Sequence, residues 1–327
     1  SYTGGDMSGL YVGGVFGTAA STSIAGSSNT ADVTVGFTKV SDLYLAGVVA
    51  KATAQQTFSE LSNSGAITLD AATATIEDLY AAGVGAYSNN SSVFDNCSNS
   101  GALSLTAASA TNAYFGGIAA TSSSTSYAPN ATNCTNSGDM TAAFAANWYV
   151  GGVVAYGGNW SSTTSKKYSI TGNTVTSDIS ISSAEDKKLY AGGIVGHSGM
   201  HITYTDNSYT GTISTTNTNG FVGGMVGSTV LNATSTNTNT TYYNYSFSGN
   251  SVNATLPTSG YSGAFVGGQY NSTTSTVKSA PIFKYIFDTV KPNTISTTNV
   301  TDAVSAYRDD TRFTVTIEGL EGGVVVK

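Results

Sequence analysis

The chain has 327 residues, of which 40% are hydrophobic and only 9% are charged, and its formal net charge is -7. An ordinary soluble domain has about 25% charged residues, so Gly, Ser, Thr and Asn must supply much of this surface. The acidic balance and the scarcity of Lys and Arg exclude a basic stripe for nucleic-acid phosphates. The sequence contains no run of 18 apolar residues, so we expect a protein that does not span the membrane. A surface poor in Lys and rich in Ser, Thr and Asn leads us to expect an extracellular or cell-surface protein.

One short motif returns eight times along the chain. An aromatic residue leads, a small residue follows two positions later, and then come an apolar residue and Gly or Ala. The leading aromatic residues are Tyr11, Tyr44, Tyr80, Tyr114, Tyr149, Tyr190, Phe221 and Phe265. The second glycine of each copy is Gly14, Gly47, Gly83, Gly117, Gly152, Gly193, Gly224 or Gly268. A period between 20 and 50 residues is typical of stacked repeat proteins.

The motif has the two-residue period of a β-strand. Its intervening positions are also mostly apolar, which predicts a strand that is buried on both faces. Glycine in such a strand allows a neighbouring backbone to approach closely. We therefore interpret each copy as the most buried strand of its repeat.

A second element lies between the copies of the motif. Asn63, Asn99 and Asn136 each begin an Asn-Ser-Gly turn that precedes an alternating strand. Stacked in register, these asparagines would form a ladder of amide hydrogen bonds; the alternative is three independent turn residues. Parallel β-helix coils are commonly about half as long as this repeat, so we expect two coils per repeat, about 16 coils and a rod about 75 Å long at about 4.8 Å per coil.

The order of these elements resembles a known repeat. Gly-Gly-(Val/Ile)-Val-(Gly/Ala), followed by the Asn-Cys-x-Asn-Ser-Gly segments at residues 96–101 and 133–138, resembles the GLUG repeat of large bacterial surface and secreted proteins. The resemblance covers roughly residues 1–275. It implies an adhesin-like β-solenoid scaffold and supplies no catalytic residues.

The sequence therefore predicts an all-β parallel β-helix of about eight two-coil repeats. Residues 1–278 form the solenoid. Charged residues concentrate after residue 278, so we expect residues 279–327 to form a capping or junction β region. Its apolar end, residues 322–326, is a strand that could add to the edge of a neighbouring molecule.

The two cysteines and two histidines are given structural roles. Cys97 and Cys134 occupy equivalent positions in adjacent repeats, and two coils per repeat would place them about 9–10 Å apart, beyond disulfide range. We interpret them as buried core residues rather than as a bridge or a metal pair. His197 and His201 are interpreted as surface residues of a turn, since no Cys or paired carboxylate completes a zinc site.

Catalytic, metal and cofactor sites are not expected. Adjacent acidic residues such as Glu77 and Asp78 would face opposite ways on a strand, and no lateral cluster of acids and bases on successive coils is visible. Six Asn-x-Ser/Thr sequons are candidate glycosylation sites: Asn90, Asn130, Asn159, Asn232, Asn253 and Asn299.

These patterns favour a non-catalytic structural or adhesive protein, a rod, stalk or filament subunit of the cell surface. Its expected partners are other copies of itself or cell-surface proteins and glycans. The alternative is a carbohydrate-binding or carbohydrate-cleaving β-helix. Ice binding through flat threonine arrays is a third alternative, although regular Thr-x-Thr at coil spacing is absent.

Overall fold

A computed structural model gives the fold of the chain. It describes residues 7–89, 92–122, 129–157, 168–199, 202–231, 242–258, 260–271, 282–305 and 314–326. These residues are almost entirely β-structure, and their strands wind into a parallel β-solenoid of about seven full turns. We call one such turn a coil.

The first half of the chain contains β1 (Met7–Gly13), β2 (Phe16–Ala19), β3 (Ser23–Ala25), β4 (Ser28–Asn29), β5 (Val33–Val35), β6 (Lys39–Ala46), β7 (Val49–Ala52), β8 (Thr57–Ser59), β9 (Ser62–Asn63), β10 (Ile67–Ala82), β11 (Gly85–Ser88), β12 (Val93–Asp95), β13 (Ser98–Asn99), β14 (Leu103–Gly116), β15 (Ala119–Ser122), β16 (Asn130–Thr132), β17 (Thr135–Asn136), β18 (Met140–Ala143), β19 (Ala145–Gly151) and β20 (Val154–Gly157). The second half contains β21 (Tyr168–Thr171), β22 (Thr174–Val175), β23 (Ile179–Ser182), β24 (Leu189–Gly192), β25 (Val195–Ser198), β26 (Ile202–Thr205), β27 (Ser208–Thr215), β28 (Phe221–Gly223), β29 (Val226–Leu231), β30 (Tyr242–Ser248), β31 (Ser251–Thr255), β32 (Tyr261–Gly263), β33 (Gln269–Asn271), β34 (Ile282–Phe287), β35 (Asn293–Ile295), β36 (Thr314–Glu318), the short helix α1 (Leu320–Gly323) and β37 (Val324–Val326).

The strands form three parallel sheets of 20, 8 and 9 strands. We call them sheets A, B and C. Within each sheet a strand pairs with the equivalent strand of the next repeat, so Tyr11 lies beside Tyr44 and Tyr44 beside Tyr80. One repeat is therefore one coil, and the expectation of two coils per repeat is wrong. The nine strands of sheet C define eight spacings, which give a solenoid about 38 Å long at about 4.8 Å per coil.

Each coil is longer than expected because sheet A contributes long strands with corners in them. In β10 the register with β14 shifts between Ala71 and Thr75, and the strand then continues to Ala82. A second corner follows sheet C, where one residue per coil adopts a left-handed conformation, for example Asn96, Asn133 and Gly172. Gly and Asn tolerate this conformation better than other residues do.

The interior is filled by columns of apolar side chains. In β6, Leu43 and Leu45 are fully buried in the core. Sheet C adds an aromatic column in which Tyr204, Phe247 and Phe287 stack at ring-centroid separations of 5.1 Å. Each buried side chain of this size contributes on the order of 1.5–3 kcal/mol relative to an exposed one.

The predicted boundary after residue 278 does not appear in the sheet topology. Strand β34 pairs with β30 in sheet C, and β36 pairs with β34. Strand β37 pairs in parallel with β35, so the apolar tail extends its own chain's solenoid. The described part of residues 279–327 thus continues the same stack. Among the described residues, no helix is both long and apolar enough to cross a membrane.

Candidate functional site

A polar groove of about 460 Å³ lies on the outer surface of sheet A. Equivalent positions of successive coils line it, including Ser41, Glu77 and Thr111. Lys39 and Lys187 also line the groove and bring positive charge to it. Hydroxyl, amide, carboxylate and ammonium groups therefore repeat along one strip of the surface.

Acidic residues of adjacent coils meet beside this groove. Asp42 and Asp78 are direct partners in the parallel register, and the row continues with Asn112 and Asn147. We call these four residues the carboxylate column. Asn112 donates a hydrogen bond from Nδ2 to Asp78 Oδ1 at 2.9 Å. The pKa of Asp42 is raised by burial and, to a smaller extent, by the negative charges of Asp78 and Glu77. The raised pKa means that burial and the neighbouring negative charges destabilise the ionised form of Asp42.

Glu77 and Asp78 lie on the same side of the strand. Their neighbours Ile76 and Leu79 are both buried in the core, so the chain bends here and both carboxylates face outward. The expectation that adjacent acids face opposite ways is wrong at this corner. A lateral cluster of acids and bases is present after all, because each repeat is one coil and not two.

The motif aromatics form a continuous stack beside the carboxylate column. We call it the tyrosine column: Tyr11, Tyr44, Tyr80, Tyr114, Tyr149, Tyr190, Phe221 and Tyr261. Ring centroids are 4.8 to 5.5 Å apart along it. Because Leu43 and Leu45 enter the core, Tyr44 between them points to the outer face. Tyr80 donates from its hydroxyl to Asp78 Oδ2 at 3.3 Å.

A second row from sheet B covers the tyrosine column. Tyr87 packs edge-on against Tyr44 and Tyr80 at 5.3 and 5.1 Å. Lys51, one coil earlier in the same row, places Nζ 4.5 Å from the ring centroid of Tyr44, a cation–π contact. The motif strand is therefore covered on both faces, as its apolar pattern predicted.

His197 also belongs to this second row. It lies on β25, is only 2% exposed, and packs against Tyr149, Tyr156 and Tyr190. Its Nδ1 is 2.5 Å from the hydroxyl of Ser228. Burial, with a smaller contribution from Lys188, lowers the pKa of His197 to about 3. The prediction of a surface turn histidine is wrong for His197, while His201 lies outside the described residues.

The motif glycines allow the backbones of neighbouring coils to approach closely. A Cβ on Gly83 would lie 2.2 Å from the carbonyl oxygen of Gly117 and 2.4 Å from Asn99 Cγ. Equivalent backbone contacts hold for seven glycines: Gly14, Gly47, Gly83, Gly117, Gly152, Gly193 and Gly224. This confirms the steric role predicted for glycine at these seven positions.

The eighth copy of the motif is displaced by four residues. Tyr261, and not Phe265, pairs with Phe221 in the tyrosine column, and Ala264 takes the place of the second glycine. Phe265 is instead fully buried and packs edge-on against Phe247 and Phe287. The predictions for Phe265 and Gly268 are therefore wrong, because two Gly-containing segments lie close together in this coil.

The turn asparagines form a ladder, as one of the two hypotheses proposed. Asn63 donates from Nδ2 to Asn99 Oδ1 at 2.8 Å, and Asn99 donates to Asn136 in the same way. Asn29 extends the row by donating to Asn63. We call Asn29, Asn63, Asn99 and Asn136 the first ladder. All four side chains are buried, so each amide makes a hydrogen bond that water cannot replace.

A second ladder takes over where the first one ends. Asn173, Asn207, Asn250 and Asn293 are linked by Nδ2 to Oδ1 bonds of 2.9 to 3.0 Å. These residues occupy the position two residues before the first ladder, where earlier coils carry Leu61, Cys97 and Cys134. Val175 in turn follows Asn136 in the first ladder's row. Between these two coils the apolar row becomes polar at Asn173, and the polar row becomes apolar at Val175. No local pattern in the sequence predicted this change.

Three of the six candidate glycosylation sites lie among the described residues. Asn253 is exposed on β31, whereas Asn130 Oδ1 accepts a hydrogen bond from the Ser169 amide and Asn299 Nδ2 donates to the Leu256 carbonyl. Asn90, Asn159 and Asn232 lie outside the described residues. Glycosylation at all six sites stays a prediction.

Among the residues that the structure describes, no three His, Cys, Asp or Glu side chains come together in a way that could hold a metal ion. Comparison of the chain with family models, with curated proteins and with solved structures gave no significant match. The function of the chain must therefore be inferred from the geometry of its groove, its columns and its ladders.

Proposed function

We propose that this chain is a non-catalytic extracellular protein that acts by shape, as a rigid structural or adhesive module of the cell surface. The observation that supports this proposal most is the continuity of the stack. Parallel pairings in register connect every coil from β1 to β37, and two asparagine ladders and a tyrosine column run along the same axis. Such a stack resists bending because any hinge would break several columns at once.

The length of the solenoid limits what kind of module it is. At about 38 Å it is half as long as the predicted rod, so we propose a stiff spacer or filament subunit and not a long stalk. The GLUG-like repeat and the low charge are in keeping with a surface or secreted protein. We propose other copies of the chain, or cell-surface proteins and glycans, as its partners.

Labelling of intact source cells tests this proposal. Antibodies against the folded solenoid should label unpermeabilised cells in immunogold electron microscopy, and external protease should remove the label. Beads coated with the protein should bind to the cell surface or to each other, whereas beads coated with an unfolded Gly83→Ala variant should not. Labelling only after permeabilisation would contradict an extracellular role.

The groove supports a second candidate, a carbohydrate-binding or carbohydrate-cleaving β-helix. Asp42, Asp78 and Glu77 lie together on successive coils beside stacked tyrosines, and sugar hydroxyls pair well with carboxylate and amide groups. Glycoside hydrolases act with a pair of carboxylates, and these three acidic residues could supply such a pair.

Binding and turnover of polysaccharides would test the second candidate. Glycan arrays and calorimetry should detect a ligand whose affinity falls at least tenfold in Asp42→Asn and in Glu77→Gln. The matched control is Asp95→Asn, the same loss of charge on sheet C. Equal binding by all three variants would place the sugar site elsewhere, and release of reducing ends would reveal cleavage.

A further inference from the structure

The two cysteines of the chain occupy directly opposite positions on adjacent coils. Asp95 pairs with Thr132, and Ser98 pairs with Thr135, so Cys97 and Cys134 lie side by side between these pairs. The amide of Thr135 donates to the carbonyl of Cys97 at 2.9 Å. Adjacent parallel strands are about 4.8 Å apart, which lies within the 4.4–6.8 Å range of Cα separations in disulfides.

The side chains of the pair point in the same direction into the core. Cys97 Sγ lies 3.5 Å from the carbonyl oxygen of Phe58, and Cys134 Sγ lies 3.5 Å from that of Phe94, its equivalent one coil later. The two thiols also interact with each other: this interaction raises the pKa of Cys134, to which burial adds, and lowers the pKa of Cys97.

We propose that Cys97 and Cys134 are a disulfide-forming pair that covalently joins two successive coils of the solenoid. Both residues are free cysteines in this structure. The two-coil repeat would have placed them beyond bonding distance, and the one-coil repeat removes that objection. The bridge would lock the register of neighbouring coils just before the first ladder gives way to the second.

The bond forms by two thiol–disulfide exchange steps with a low-molecular-weight disulfide such as oxidised glutathione. One cysteine thiolate attacks this disulfide, forms a mixed disulfide and releases one glutathione thiolate. The other cysteine thiolate attacks the protein sulfur of the mixed disulfide and releases the second glutathione. Two protein thiols are oxidised and one glutathione disulfide is reduced to two thiols. Because each cysteine is only 1% exposed, the reaction belongs to folding, before the coils close.

Oxidative refolding of the full chain tests the proposal. The reduced, denatured protein is diluted into a glutathione redox buffer at pH 8, alkylated, digested and analysed by mass spectrometry. We expect a monomer that has lost two hydrogens and yields one cross-linked peptide containing Cys97 and Cys134. Its thermal midpoint should exceed that of the same protein refolded with reductant, since the bridge restricts the unfolded chain. Cys134→Ala should show no such difference between the two redox conditions.

A matched pair of variants separates coil geometry from chance encounter. Leu61 lies one coil before Cys97 in the same row and is fully buried. Leu61→Cys with Cys134→Ala places two thiols on adjacent coils and should cross-link. Leu61→Cys with Cys97→Ala places them two coils apart, about 9.6 Å, and should not. Circular dichroism first establishes that both variants fold.

Three results would overturn the proposal. The first is a natively refolded protein in which both thiols are alkylated after oxidative refolding. The second is a product that carries only mixed glutathione adducts or intermolecular bridges. The third is equal cross-linking of the adjacent and the two-coil variants, because it would show that the bond does not depend on the stacked geometry.

Discussion

At the scale of single residues, buried amides link one coil to the next. Asn99 both donates to Asn136 and accepts from Asn63, so it satisfies two neighbours at once. Valine occupies the same row in a later coil, at Val175, and therefore fits the space. Asparagine is required at residue 99 because its neighbours Asn63 and Asn136 would otherwise lose a hydrogen-bond partner, and not because of its shape.

We expect Asn99→Val to lower the free energy of unfolding by about 2–5 kcal/mol, because it leaves one buried donor and one buried acceptor unpaired. Chemical denaturation followed by circular dichroism measures the change. The control is Asn253→Val on the exposed side of β31, which should change stability by less than about 0.5 kcal/mol. Similar losses for both variants would show that the ladder bonds contribute little.

The motif glycine is a steric requirement of the stack. In Gly83→Ala the new methyl group would lie 2.2 Å from the Gly117 carbonyl oxygen, and the backbone of the next coil cannot move away alone. We expect a loss of roughly 4 kcal/mol or more, seen as failure to fold or as a large drop in the denaturation midpoint. Gly17→Ala, whose nearest contact would be 3.3 Å, is the control and should fold normally.

The buried histidine makes stability depend on pH. Its pKa is lowered to about 3 in the fold by burial, against about 6.5 in an unfolded chain. Between these values the unfolded chain binds a proton that the folded chain does not, so stability falls as the pH drops, by about 1.4 kcal/mol per unit. Above pH 6.5 the histidine is neutral in both states and has no such effect.

Comparison of wild type with His197→Gln isolates this contribution. The glutamine amide can still pair with Ser228, so the two proteins should have similar stability at pH 8. Denaturation at pH 8, 6, 5 and 4 should show a difference that grows in favour of the variant as the pH falls. A difference that stays constant over this range would contradict the neutral, buried state of His197.

At the scale of elements, each strand is stabilised mainly by its equivalents in the two adjacent coils. The final strand β37 has one such neighbour, β35, and the carbonyl of Gly323 accepts a bond from Asn293 Nδ2. In stacked repeats, loss of a terminal unit affects chiefly the unit beside it. The apolar tail therefore protects the last rung of the second ladder.

Deletion of residues 320–327 should accordingly destabilise one end of the solenoid. We expect faster amide exchange in β35 and in the adjoining part of β31, and unchanged exchange in β10 and β14. Hydrogen–deuterium exchange with mass spectrometry measures both regions in one sample, so the distant strands are the internal control. Uniformly faster exchange would mean that the solenoid unfolds as one cooperative body.

At the scale of the whole molecule, the number of coils per repeat sets the length and the position of every column. Thr57 and Ser246 belong to one row of sheet C and are separated by five spacings. One coil per repeat places their backbones about 24 Å apart, whereas two coils would give about 48 Å.

Spin labels at Thr57→Cys and Ser246→Cys, on a background of Cys97→Ala and Cys134→Ala, should report the shorter distance in pulsed electron resonance. A parallel pair, Ser59→Cys and Ser248→Cys, spans the same five coils and should give the same result. A distribution centred near 48 Å, or different distances for the two pairs, would contradict the fold.

The sequence by itself determined the local features of this protein. Alternation at Leu43, Tyr44 and Leu45 specifies a strand, the motif glycines require a close backbone, and Asn63, Asn99 and Asn136 could form a ladder because equivalent residues of a solenoid stack. Each of these depends on residues near one another in the chain or on the repeat itself. They also made a parallel β-solenoid the expected fold.

Only the tertiary structure decided how many residues close a coil. The length of a coil depends on where its strands bend and on how three sheets enclose one core, which are non-local properties. Because one repeat closes one coil, Asp42 lies beside Asp78 and Cys97 lies beside Cys134. The tertiary structure also buries His197 among tyrosines and places Tyr261, and not Phe265, in the tyrosine column. Local sequence patterns do not predict these pairings, because the interactions that stabilise them are made with residues of the neighbouring coil.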